Sequence, residues 1–292
     1  MFKIVIKQVI SKGVKRLDVM APDIAQRAQP GQFAMVLPEE NSSWIALSIV
    51  DTDLRRGTIT FMFRESNEAA VKLGELPING PIFSIVAPLG RPASIARHGT
   101  VVCVATDMSV VSLLPICRAF KDAGNRVIGV VGSKTKWERL VESQVRLSCS
   151  KYFLATEDGS YGRKGPVLPL LEEILRKEET GLVYAIGSPE VMQDIARLTA
   201  AKGIKLLVQL NTPMICGTGI CGSCRVEVAR KVVLACEHGP EFDGHKVDYD
   251  KLKARLNALS TAKQAGAQAA ANTRSNGIAG MFSKLVRDAA GR

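Results

Sequence analysis

Four of the chain's cysteines, Cys216, Cys221, Cys224 and Cys236, fall within twenty-one residues of one another. The first three stand in one loop, Cys216-Gly-Thr-Gly-Ile-Cys221-Gly-Ser-Cys224, with the spacing C-x4-C-x2-C. Three thiolates in so short a loop must converge on one small object, so the backbone path is set by what the sulfurs bind. The spacing is that of plant-type [2Fe–2S] sites, with Cys236 as the fourth ligand. Gly217, Gly219 and Gly222 let the loop turn sharply and bring N–H groups toward the sulfurs. Residues 225–228 and 231–235 read as a β-hairpin that returns Cys236 to the loop. A structural zinc site is the alternative. Zinc ligands usually come as two separated pairs, and three in one loop favour iron–sulfur.

The other three cysteines, Cys103, Cys117 and Cys149, are isolated in sequence and read as small buried hydrophobes. Seven cysteines in all, with four crowded together, argue for a metal site in a reducing compartment rather than a disulfide framework. No apolar run reaches the roughly 18 residues of a membrane span. The first residues read directly as a strand, without a signal peptide's apolar segment. The expectation is a cytoplasmic protein. The net charge is +11, and residues 251–292 hold eight Lys or Arg against one Asp. Such a tail suits an acidic partner. No zinc finger or aromatic-studded basic stripe accompanies it, so nucleic-acid binding is not expected.

Punctuation and periodicity divide the chain. Over residues 1–97, apolar stretches at 3–10, 14–20, 32–37, 45–50, 57–64 and 81–86 alternate with Gly, Pro, Asn and Asp, the pattern of a small antiparallel barrel. One helical stretch, residues 68–74, interrupts them. Over residues 98–210, strands at 100–105, 126–131, 151–156, 182–186 and 205–210 alternate with helices at 113–123, 135–144, 167–178 and 189–201. This predicts a doubly wound parallel sheet, whose ligands bind at the strands' C-terminal ends. Residues 211–258 form the cysteine module, with a helix near 250–260. Residues 259–292 read as a basic, Ala-rich flexible tail with a short amphipathic segment at 281–290.

The cysteine loop, followed by Ala235-Cys236-Glu-His-Gly-Pro-Glu-Phe-Asp-Gly-His245-Lys-Val-Asp248, resembles the FAD- and [2Fe–2S]-containing electron-transfer subunits. These comprise the ferredoxin:NADP reductase (sulfide dehydrogenase) alpha subunit and the dihydroorotate dehydrogenase electron-transfer subunit. The resemblance spans about residues 1–258 and implies a ferredoxin reductase-like fold: β-barrel for flavin, α/β domain for nicotinamide, then the cluster module. In the reductase branch an aspartate often stands where Cys216 does, so this site is all-thiolate.

The nucleotide sites that the resemblance implies are less complete. Ser48 and Asp51 lie on the strand expected against the flavin, without the family's proline or arginine. Thr58 belongs to a retained Gly57-Thr58-Ile59-Thr60 element, and Ala87-Pro88-Leu89-Gly90 keeps the family form. Asn67 to Leu73 replaces a Gly/Thr-rich turn that meets the FAD pyrophosphate; Leu73 persists while the glycine and both hydroxyls are gone. At the nicotinamide site the usual glycine-rich loop is Ala105-Thr106-Asp107-Met108-Ser109, with Asp107 facing a polyanion. Gly159 and Ser160, in the loop 156–165, and Gly187, in the turn 185–189, keep the family pattern.

The resemblance implies an NAD(P)H-linked oxidoreductase subunit. It carries FAD and a [2Fe–2S] cluster within a hetero-oligomer and exchanges electrons with a larger flavin/[4Fe–4S] catalytic subunit and with ferredoxin. No catalytic acid or base is expected from the chain. His98 reads as interdomain surface, and His238 and His245 as structural residues flanking the cluster segment. The other reading is a diverged relay or scaffold with an intact cluster and impaired nucleotide sites. A redox sensor is a third, with no positive feature behind it.

Overall fold

The computed structural model describes residues 2–261 and divides into a body, Met1–Tyr249, and a C-terminal unit that begins at Asp250. In the body, eight strands build the barrel: β1 (Phe2–Ser11), β2 (Val14–Met20), β3 (Phe33–Leu37), β4 (Ile45–Ser48), β5 (Asp51–Asp53), β6 (Thr58–Arg64), β7 (Pro81–Ile82) and β8 (Ser84–Leu89). They form two antiparallel sheets, ordered β5-β6-β2-β1-β7 and β4-β3-β8. The helices α1 (Pro22–Arg27) and α2 (Glu68–Glu75) cover the barrel. Alternating side chains explain the closure: Ile4, Leu17, Val19, Val36, Ile59 and Phe61 all point into one core. The strand expected over 45–50 stops at Ser48 as β4, paired with β3, and after Ile49-Val50 the chain resumes as β5, paired with β6 in the other sheet.

The α/β layer holds β9 (Thr100–Thr106), β10 (Arg126–Ser133), β11 (Lys151–Thr156), β12 (Arg163–Lys164), β13 (Leu182–Ile186) and β14 (Lys205–Gln209). Its helices are α3 (Ser109–Asp122), α4 (Glu142–Ser148), α5 (Val167–Lys177) and α6 (Pro189–Ala201). The strands are parallel in the order β12-β11-β10-β9-β13-β14, so the order reverses between β9 and β13. Ligand sites in such sheets lie at the C-terminal ends of the two strands flanking that reversal, here Thr106 and Ile186. The helix expected over 135–144 is instead a short 3-10 turn, Lys136–Glu138, followed by α4. Val141 explains the break: it takes a left-handed backbone (φ 47°) as it and Leu140 turn inward to the core.

Cys103, Cys117 and Cys149, isolated in sequence, meet in this core. The Cys103 thiol, and then burial, hold the Cys117 thiol well above the usual thiol range, while the Cys149 contact opposes that shift. Gly129 makes room for the group, because a Cβ there would lie 2.8 Å from Cys149 Sγ.

The cysteine module adds a hairpin of β15 (Arg225–Val228) and β16 (Lys231–Leu234), the turn α7 (Ala235–His238) and β17 (Glu241–Asp243). Ala229 and Arg230 both have positive φ, the signature of a two-residue type I′ hairpin turn. Strand β17 was not evident in the sequence pattern. It pairs antiparallel to β14 and so grafts the module onto the parallel sheet's edge. Residues 249–261 are helical, close to the 250–260 expected. Most of the predicted tail, including the segment 281–290, lies outside the described residues.

Candidate iron–sulfur centre and nucleotide sites

The four thiols fall into two pairs. Cys224 Sγ and Cys236 Sγ lie 3.2 Å apart, both buried, in a small core with Phe33 and Met35 of the barrel. Cys216 and Cys221 form the outer pair, with the Cys221 N–H 3.5 Å from Cys216 Sγ. Two pairs of thiolates suit a two-iron cluster, one pair to each iron.

Backbone donors are aimed at these sulfurs. Thr218 N–H points at Cys216 Sγ (3.5 Å), Gly219 N–H at Cys236 Sγ (3.2 Å) and Ser223 N–H at Cys221 Sγ (3.5 Å). The N–H groups of Thr218 and Cys221 pull the Cys216 thiol down to about 6, into thiolate form at neutral pH. Burial, then the neighbouring Cys224 thiol, pushes Cys236 up to about 12. A set of sulfurs in a cradle of N–H groups fits a group carrying negative charge on its sulfurs.

Gly217 shows why the loop sits where it does. Its φ is 69°, and a Cβ would fall 2.5 Å from Met35 Cγ, so only glycine lets the loop press against the barrel. On the far side, Arg91 N–H donates to Gly239 O (2.6 Å), and Leu210 N–H donates to Pro240 O (3.0 Å). The module is thus tied to both barrel and sheet.

The expected flavin contacts are spread over different environments. Ser48 Oγ is 2.8 Å from Ser112 Oγ on α3, and Asp51 accepts a 2.8 Å bond from Arg118 on the same helix. Both lie at the seam between barrel and α/β layer. Thr58 is 5% exposed and Leu73 wholly enclosed in the barrel core. The Leu73 side chain is therefore a packing residue with no face for a nucleotide. At the helix end expected to meet phosphate, Asn67 Oδ1 accepts from Ala70 N–H (2.9 Å), so α2 is capped by its own chain. Glu68 follows in the first turn and pairs with Lys72.

At the reversal point a cavity of about 240 Å³ is lined by Thr106, Asp107, Gly132, Glu157, Val167 and Asp194, among others. Gly187 closes against it, since a Cβ there would lie 3.0 Å from Thr106 Oγ1. Asp107 keeps the backbone a glycine would take (φ 51°), and its N–H donates to Gly132 O (2.9 Å). Burial, then Glu138, raises the Asp107 carboxyl above its ordinary value, while Lys134 and the barrel's Arg64 oppose that shift. Gly159 (φ 74°) turns the 156–165 loop. Ser160 in the same loop donates to Asp158 (2.6 Å) and accepts from Lys136 N–H (2.8 Å). The loop is held by its own hydrogen bonds rather than left open. His98, His238 and His245 have structural partners: Phe120 for the first ring, Leu234 N–H for the second, Thr199 Oγ1 for the third.

Comparison with known proteins matches this arrangement. Residues 211–248 fit the model of the iron–sulfur cluster binding domain of dihydroorotate dehydrogenase B. A Thermotoga maritima homologue of the dihydroorotate dehydrogenase B (NAD(+)) electron transfer subunit is 33% identical over 255 residues, covering 87% of this chain and 90% of its own. The chain belongs to this family. Its role is electron transfer within an oxidoreductase, by way of an iron–sulfur centre. The Desulforamulus reducens electron transfer subunit is 26% identical across 85% of the chain and 97% of its own. A solved structure from the NADH-dependent reduced ferredoxin-NADP oxidoreductase superposes with a TM-score of 0.83 at 31% identity, covering 88% of this chain and 92% of that one. Phthalate dioxygenase reductase shares the fold, with a TM-score of 0.55 at 14% identity. The expected barrel, doubly wound sheet and cluster module thus stand as a ferredoxin reductase-like architecture.

Proposed function

We propose that the chain moves electrons between a flavin on the barrel, a [2Fe–2S] cluster on Cys216, Cys221, Cys224 and Cys236, and a larger catalytic subunit in the cytoplasm. The observation carrying this reading is the gathering of four thiols in two pairs, three of them met by backbone N–H donors, on a module fixed to both barrel and sheet. A bound flavin supplies the conversion between a two-electron hydride and the single electrons an iron–sulfur centre carries. The chain's own residues hold and orient: Gly217 sets the loop against Met35, and Ser48 and Asp51 present the barrel's seam. Thr106, Gly159, Ser160 and Gly187 frame the place for NAD(P)H at the strands' ends. A ferredoxin-type carrier is the proposed distal partner.

A second reading has its own observation. Asp107 puts a carboxylate at the opening of α3, where a dinucleotide's phosphates need N–H donors and positive dipole. On that reading the chain is a relay that takes electrons from its partners and not from NAD(P)H. The anaerobic holoprotein separates the two. Bleaching of flavin and cluster bands by NADH or NADPH supports the first reading; intact bands with both nucleotides support the relay.

A further inference from the structure

The two thiol pairs differ in what surrounds them. Cys224 and Cys236 are 2% and 3% exposed, whereas Cys221 is exposed and Cys216 half-buried, beside the exposed Ile215 and Ile220. Solvent and donors at the outer pair stabilise added negative charge more than the dry inner pair does. Side-chain donors add to the backbone ones there: Thr218 acts on Cys216, and Ser223 stands beside Cys221. Ser223 Oγ lies 3.2 Å from Cys221 Sγ and also 3.2 Å from Pro213 O, and its own N–H points at the same sulfur.

We propose that the Ser223 hydroxyl tunes the potential of the iron–sulfur centre by donating to Cys221 at its exposed edge. The proposal rests on the four-thiolate cluster reading. A ligating thiolate has no hydrogen, so any bond between it and Ser223 runs from hydroxyl to sulfur. That hydroxyl has one hydrogen, and Pro213 O and Cys221 Sγ stand at equal distance from it. Adding an electron to the centre makes the sulfur the better acceptor and draws the hydrogen from the carbonyl to the sulfur. The bond therefore strengthens on reduction and raises the potential.

The test is a dye-mediated titration of the full-length, anaerobically prepared holoprotein, followed by electron paramagnetic resonance. Ser223→Thr and Ser223→Val have nearly the same shape and differ in the hydroxyl. The expected result is a wild-type-like potential for Thr. For Val and Ser223→Ala, the reduced-to-oxidised ratio at fixed potential falls about threefold or more, as loss of one net hydrogen bond implies. Pulsed resonance should also lose one exchangeable proton coupling in the Val variant. Equal potentials and equal couplings in Thr and Val overturn the proposal. A wild-type preparation without iron overturns instead the cluster reading beneath it.

Discussion

Ser48 Oγ and Ser112 Oγ lie 2.8 Å apart, linking a barrel strand to the first turn of α3. Six residues further along the same helix, Arg118 reaches Asp51 at 2.8 Å. The strand expected to face a flavin is therefore stitched to the layer expected to hold a nicotinamide.

Removing either hydroxyl should loosen that seam. Ser48→Ala and Ser112→Ala are each expected to cost about 0.5–1.5 kcal/mol in urea unfolding, the net worth of one hydrogen bond. The double variant should cost little more than either single one, because both remove the same bond. Fully additive losses would show that the two serines act independently.

Asp107 should be a liability at neutral pH. Its carboxyl is raised above the ordinary 3.8, so the stability tied to its protonated form is present below 3.8 and lost as pH rises through the folded value. Asp107→Asn tolerates the left-handed backbone and removes the charge. Its melting temperature should exceed wild type at pH 7, with the difference vanishing below about pH 3. Dinucleotide affinity, measured by calorimetry, should rise in the same variant if the charge is what opposes phosphate.

Glu178 shows the opposite sign. Arg126 and then Lys151 hold its carboxyl down to about 2, against an ordinary 4.5. The stability it brings is present above 4.5 and lost as pH falls toward 2. Glu178→Gln should melt earlier than wild type at pH 7, and the gap should close between those two values in melting curves taken across the acid range.

Leu73 is a test of packing against ligand contact. Wholly enclosed in the barrel core, it should cost about 2–5 kcal/mol when cut to alanine. At temperatures where the variant stays folded, bound flavin should be unchanged per folded molecule. A flavin loss exceeding the folded-fraction loss would return Leu73 to the site.

The parts legible in the sequence are those written in local pattern. The C-x4-C-x2-C loop constrains its own path, and alternation of apolar residues reveals barrel strands and sheet strands alike. What stayed hidden depends on long-range contact. Nothing near Gly217 says that Met35 will press against it, and three residues, Glu241–Asp243, are too short to announce a strand that needs β14 beside it. The thiols of Cys103, Cys117 and Cys149 meet only because β9, α3 and the chain after α4 pack together. Ser112, Arg118 and Ser223 carried no motif. Helix boundaries failed where Val141 gave up its helical backbone to bury its side chain.

The central claim is that these four cysteines hold a two-iron cluster. Iron, acid-labile sulfide and zinc should be quantified in the anaerobically purified full-length protein, alongside a variant with Cys224→Ala and Cys236→Ala. The account predicts about two irons and two sulfides per wild-type chain, and loss of both in the variant. Stoichiometric zinc, or no metal in the wild type, would contradict it.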